Sequence, residues 1–166
     1  MSFAKAVQVL ADANAEFVII GGWSAILLGS AHVTEDLDLC FSVTKENCKR
    51  IADALAPFHP HLRDLPKDLP FVWDEKTLRN GSMFTLSTDL GAIDLLAEVS
   101  GLGTFDEVKT SAMRIEAFDR EVWTLDLKGL IKAKRAAGRE KDLRVLPELE
   151  SLLEAAPEGE DADEPD

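Results

Sequence analysis

The stretch Thr34-Glu35-Asp36-Leu37-Asp38-Leu39-Cys40 alternates acid and leucine at its centre with a period of two. That period belongs to a β-strand, whose successive side chains point to opposite faces. Leu37 and Leu39 then enter a core, and Asp36 and Asp38 stand side by side on the other face. Like charges held so close repel, and the pairing is costly unless a cation neutralises it. A donor set made of oxygens alone suits a hard ion such as Mg²⁺. Any fold for this chain has to bury the two leucines and still leave both carboxylates within reach of a cation.

The flanking pattern predicts elements on both sides of this strand. Ser2 can cap a helix reaching about Asn14, and the apolar, β-branched run Phe17–Ile20 reads as a buried strand ending in Gly21-Gly22. A short helix follows over Trp23–Leu28, and the acid-bearing strand covers Leu37–Ser42. Thr44 caps a helix that Pro57 ends near Ala56. Three prolines between His59 and Pro70 predict an irregular loop. Strands are expected at Phe71–Trp73, Met83–Ser87, Ala92–Glu98, Arg114–Ala117 and Val122–Leu125. Asp126 then caps a helix over Leu127–Ala137, with Gly138 beyond its last turn. A further helix starts near Arg139 and is interrupted at Pro147, which opens a last short helix ending near Ala155. This order predicts a mixed α/β or α+β domain.

At 166 residues the chain is long enough for one domain, expected over residues 1–155, and its 46% hydrophobic content supports a sizeable core. Residues 156–166 read as an acidic, disordered tail. There is no run of about 18 apolar residues and no basic start followed by an apolar block, so neither a transmembrane helix nor a signal peptide is expected. Cys40 and Cys48 lack metal-ligand spacing, which fits a reduced, cytoplasmic protein. The net charge is −13, yet residues 128–144 hold seven bases against two acids. A wide nucleic-acid footprint requires broad positive charge, which is absent. One basic segment fits a compact anionic ligand, or a solvated helix face.

Several residues carry chemistry in this pattern. Gly21-Gly22 closes a strand and opens a helix, where free N–H groups and the helix dipole attract phosphate; Ser24 could add a hydroxyl. A plain tight turn is the competing reading. No Gly-Lys-Ser/Thr follows, so this is not a Walker loop, and no third glycine makes it a dinucleotide fingerprint. Asp94 lies in the apolar strand Ile93-Asp94-Leu95-Leu96 and is expensive to bury without a partner. A neighbouring strand bearing Asp36, Asp38 and a metal would supply one; a partly exposed position would also satisfy it. Lys134 extends the inward stripe Leu127, Leu130, Ile131. It can pair with a phosphate or snorkel at the stripe's edge. Arg139, Lys141 and Asp142 can fix the helix junction or extend a basic wall. His59, His61 and His32 form no zinc set, and His32 is read as exposed.

Taken together, these residues resemble the nucleotidyltransferase superfamily with the DNA polymerase β-like fold. The likeness lies in Ile20-Gly21-Gly22-Trp23-Ser24, Gly29, His32-Val33-Thr34-Glu35-Asp36-Leu37-Asp38-Leu39 and Ile93-Asp94-Leu95-Leu96. The segment Asp126–Leu143 is similar to the Lys…Arg-x-Lys-Asp helices of small AbiEii-like members, a group that includes toxins of type IV toxin–antitoxin systems. The resemblance covers roughly residues 3–150. It implies a mixed β-sheet flanked by helices, with further helices at the C-terminal end. It implies Asp36, Asp38 and Asp94 as metal-binding and catalytic acids on Mg²⁺ or Mn²⁺. It also implies Gly21, Gly22, Ser24, Thr34 and Lys134 as nucleotide-binding residues. The implied activity is transfer of a nucleoside monophosphate from an NTP to an acceptor hydroxyl, on a tRNA, a protein or a small molecule. An antitoxin partner is implied for a toxin, and a catalytically silent binding or regulatory module is the alternative. The chain departs from the group's Arg-x-Thr-x-Asp-x-Asp pattern at His32, where many relatives carry Arg. Histidine reaches less far and is mostly neutral at pH 7.

Overall fold

Helices α1 (Phe3–Asp12), α2 (Gly21–Leu27), α3 (Lys45–Leu55), α4 (Glu75–Asn80), α5 (Phe105–Lys109), α6 (Leu127–Ala137) and α7 (Glu140–Ala155) cover a sheet. Its strands are β1 (Phe17–Ile20), β2 (Asp36–Phe41), β3 (His61–Leu62), β4 (Met83–Thr88), β5 (Gly91–Leu96), β8 (Ala112–Ala117) and β9 (Arg120–Leu125). Two short strands, β6 (Glu98–Val99) and β7 (Gly103–Thr104), pair separately. The computed structural model describes residues 2–156, so the expected acidic tail lies outside the described residues except at Ala156. The sheet runs β3-β4-β5-β2-β1-β9-β8 and is mixed: β2 is parallel to β5 and β1 to β9, while the other neighbours are antiparallel.

The period-two pattern sorts the core into two halves. Leu37, Leu39 and Phe41 of β2 face a cluster with Val7 and Leu10 of α1, Ile51 and Leu55 of α3, and Ile93 and Leu95 of β5. Cys40 lies on the opposite face, with Val18, Ile20, Leu125, Leu130 of α6 and Leu149 of α7. Asp36 and Asp38 share that second face, at the end of β2 where the helical cover gives way to a cleft. No helix among the described residues is long and apolar enough to cross a membrane.

Two expectations need correction, and two helices stand where no element was expected. Phe71–Trp73 is not a strand. Its rings pack on the first core cluster, and Trp73 Nε1 donates to the Ala52 carbonyl at 2.9 Å, so the segment buries its aromatics without pairing. The helices over Glu75–Asn80 and Phe105–Lys109 were not foreseen, although each carries a start signal: Asp74 caps Thr77 N–H, and Thr104 with Glu107 forms a capping box. Finally, Pro147 interrupts nothing, because α7 runs through it as one helix. Leu143, whose carbonyl loses its usual donor, is half exposed, while Leu146 and Leu149 hold the helix down from either side of the proline.

Candidate active site

One row of side chains crosses three strands and reaches the residue after a fourth. Register pairs Asp38 of β2 with Asp94 of β5, and Asp94 with Thr85 of β4. Arg63, one residue beyond β3, donates its backbone N–H to the Thr85 carbonyl at 2.9 Å and so extends the row. Its guanidinium reaches Asp94 Oδ1 at 2.5 Å and the Leu86 carbonyl at 2.6 Å. Arg63 escaped the sequence reading because it sits in a proline-rich loop, and nothing local indicates which acid it will meet. Asp36 stands two residues before Asp38 on the same face, its N–H near Thr34 Oγ1 at 3.4 Å.

Asp38 is the strained member of this ledge. Its Oδ1 is buried and has no hydrogen-bond partner. Burial pushes its carboxyl up to about 6, and the charges of Asp94 and Asp36 push the same way, against the pull of Lys134. The glycine turn makes this placement feasible. Gly21 has a φ of +65°, and a Cβ there would collide with Asp38 Oδ2. A Cβ on Gly22 would come within 2.8 Å of Thr34 Cβ. Both glycines therefore make room for β2 and the segment before it, in addition to any approach by a ligand.

The expected convergence of three carboxylates on one ion is only partly met. Among the described residues, no group of three or more His, Cys, Asp and Glu side chains is placed to hold a metal together. Asp94 Oδ1 is engaged by Arg63, while its carboxyl also lies within hydrogen-bond reach of Asp38. The pair Asp36 and Asp38 fits a hard divalent ion: both offer oxygens only, and the partnerless Asp38 Oδ1 lacks a positive neighbour in contact.

Beside the ledge is a basic wall. The cleft is lined by Gly22, His32, Thr34, Asp36 and Asp38 together with Lys134, Arg139 and Lys141. Lys134 lies in the last turn of α6; Arg139 and Lys141 open α7. Gly138, with φ +64°, makes the sharp turn that brings the two helix ends together. Asp142 fixes the junction, accepting from Lys134 Nζ at 3.2 Å and Arg139 Nε at 2.7 Å. Further along α7, Glu148 accepts from the Ser30 hydroxyl and, at 3.1 Å, from the Ala31 N–H, tying down the chain just before His32. His32 is exposed at the cleft rim, as read from the sequence.

Ser24 corrects another expectation. It is fully buried, and its hydroxyl lies 2.7 Å from Thr124 Oγ1 inside the core, so it faces away from the cleft. The helix turn carries Ser24 and Trp23 into the core, while Gly22 and Ala25 line the cleft.

A mixed sheet with helices on both faces and an acid pair beside a glycine turn defines a nucleotidyltransferase-like fold. A solved structure bears this out: a protein from Thermotoga maritima, provisionally named a nucleotidyltransferase, superposes with a TM-score of 0.54 at 14% sequence identity. The match covers 91% of this chain and 96% of that one, so it extends over the whole domain and establishes the fold. No protein-family model and no curated protein matches the sequence.

Proposed function

We propose that this chain is a metal-dependent nucleotidyltransferase that moves a nucleoside monophosphate from an NTP to an acceptor hydroxyl and releases pyrophosphate. The observation that carries the reading is that one cleft is lined both by a carboxylate pair with a partnerless oxygen and by three cations. A triphosphate suits such a lining because it binds a divalent ion and cationic side chains together. Asp36 and Asp38 would hold Mg²⁺ or Mn²⁺, which when bound neutralises the ledge and polarises the reacting phosphate. Lys134, Arg139 and Lys141 bind the β- and γ-phosphates and stabilise the leaving pyrophosphate. Thr34 and Gly22 line the cleft beside the acid pair. The acceptor oxygen bonds to the α-phosphorus, the α–β phosphoanhydride breaks, and the hydroxyl proton passes to one of the acids.

Acceptor classes consistent with the resemblance are a tRNA end, a protein side chain and a small molecule. A toxin role with an antitoxin partner rests on the sequence resemblance alone. A second reading, a silent module that keeps the fold for binding, draws on Arg63, which already engages Asp94. Calorimetry with each NTP and Mg²⁺ tests the main reading. The wild type is expected to bind in a Mg²⁺-dependent way, and Asp36→Ala with Asp38→Ala to lose that dependence; a wild type that binds no NTP sinks the proposal. Labelled NTPs added to cell extract then identify the acceptor by which molecule becomes labelled.

A further inference from the structure

Asp142 is completely buried, yet it is surrounded by charge. Its Oδ1 accepts from Lys134 Nζ at 3.2 Å and from Arg139 Nη2 at 3.2 Å. Its Oδ2 accepts from Arg139 Nε at 2.7 Å and from the Arg139 backbone N–H at 3.3 Å. Burial alone would raise this carboxyl, but the Arg139 and Lys134 contacts outweigh it and hold it below the usual range, so the carboxylate stays ionised at neutral pH. The two cations lean on it from different helices, and both line the cleft.

Donor accounting separates a holder from a quencher. A lysine ammonium has three N–H donors and an arginine guanidinium five. Lys134 gives one to Asp142 and keeps two; Arg139 gives two from its side chain and keeps three. The cluster of Lys134, Arg139 and Asp142 keeps a net charge of +1, and Lys141 beside it adds another. Arg139 has a side chain 60% exposed, long and flexible enough to wander without the anchor.

We infer that Asp142 is a positioning residue for phosphate recognition: a buried carboxylate that aims Lys134 and Arg139 at the β- and γ-phosphates of the nucleotide. This rests on the nucleotidyl-transfer reading of the same cleft. The competing role is a plain helix cap at the start of α7, which would matter to stability only.

Binding of inorganic tripolyphosphate and of AMP to the full chain separates the two. Asp142→Asn keeps the shape of the side chain and removes its charge. Tripolyphosphate affinity is expected to fall about tenfold, the size typical of losing a carboxylate that orients a binding group, with AMP affinity unchanged and Asp142→Glu restoring part of the loss. Equal losses for both ligands, or no loss for either, overturn the inference. A wild type that binds neither ligand nor any NTP overturns the functional reading beneath it instead. Should Asp142→Asn fail to fold, the Lys134 Nζ and Arg139 Nε NMR signals of the wild type are followed during tripolyphosphate titration. Both are expected to shift together, and silence at either one overturns the inference.

Discussion

Around the cleft, β2 and β5 present like charges and an orphaned oxygen, whereas α6 and α7 present cations tied to a buried carboxylate. Asp38 is held ionised at a cost, by strands whose backbone pairing leaves its side chain no choice of place. Lys134 and Arg139 are held at a gain, because Asp142 satisfies them without exhausting their donors. The first wall stores strain that a bound cation would relieve; the second is complete before any ligand arrives. Sites commonly combine an expensive element with a well-supported one.

The contrast is sharpest in opposite responses to loss of charge. Asp38 carries a folded-state value of about 6 against an unfolded value of 3.8. The folded chain therefore keeps a proton there that the unfolded chain has lost, and stability falls as pH rises through roughly 4 to 6. Asp38→Asn should raise stability by about 3 kcal/mol at pH 8 and by little near pH 4, read by urea denaturation at both. An unchanged pH profile in the variant breaks the picture of a strained ledge. Lys134→Met should act the other way, costing roughly 2 kcal/mol at pH 7 by leaving Asp142 with a single cation. If that variant is as stable as the wild type, the basic wall is not the satisfied partner described here.

Gly21→Ala comes next, at about 1–2 kcal/mol, from the left-handed backbone and the collision with Asp38 together. Repeating it in an Asp38→Ser background should remove the collision and leave the backbone part, a comparison that thermal melts resolve. The smallest effect is expected at Arg63. Arg63→Gln frees Asp94 and should raise Mn²⁺ affinity about threefold to tenfold, below roughly 1.4 kcal/mol, by electron paramagnetic resonance. No Mn²⁺ binding in either protein favours the silent module.

Legibility followed the range of the interaction. The acid ledge could be read because alternation over six residues already decides which side chains share a face, and because Ile93-Asp94-Leu95 repeats the device. The helix over Leu127–Ala137 was legible from its Asp126 cap and Gly138 stop. Arg63 was not, since it reaches Asp94 through a two-residue edge strand too short to leave a pattern. Ser24 was misplaced because spacing from a glycine turn does not tell which side of the following helix meets the core. Pro147 misled because a local rule about proline yields to packing on both sides of it.

By itself the sequence determined the period-two strands, the helix caps and the clustering of bases in one segment, all set by neighbours a few residues apart. Only the tertiary structure decided that Asp38 lies beside Asp94, that Arg63 takes the third acid, and that Asp142 gathers two cations from separate helices. The Asp38–Asp94, Arg63–Asp94 and Lys134–Asp142 pairings join residues 56, 31 and 8 positions apart, while Arg139 meets Asp142 from three residues away. Sheet register and helix packing, which depend on the whole chain, choose them.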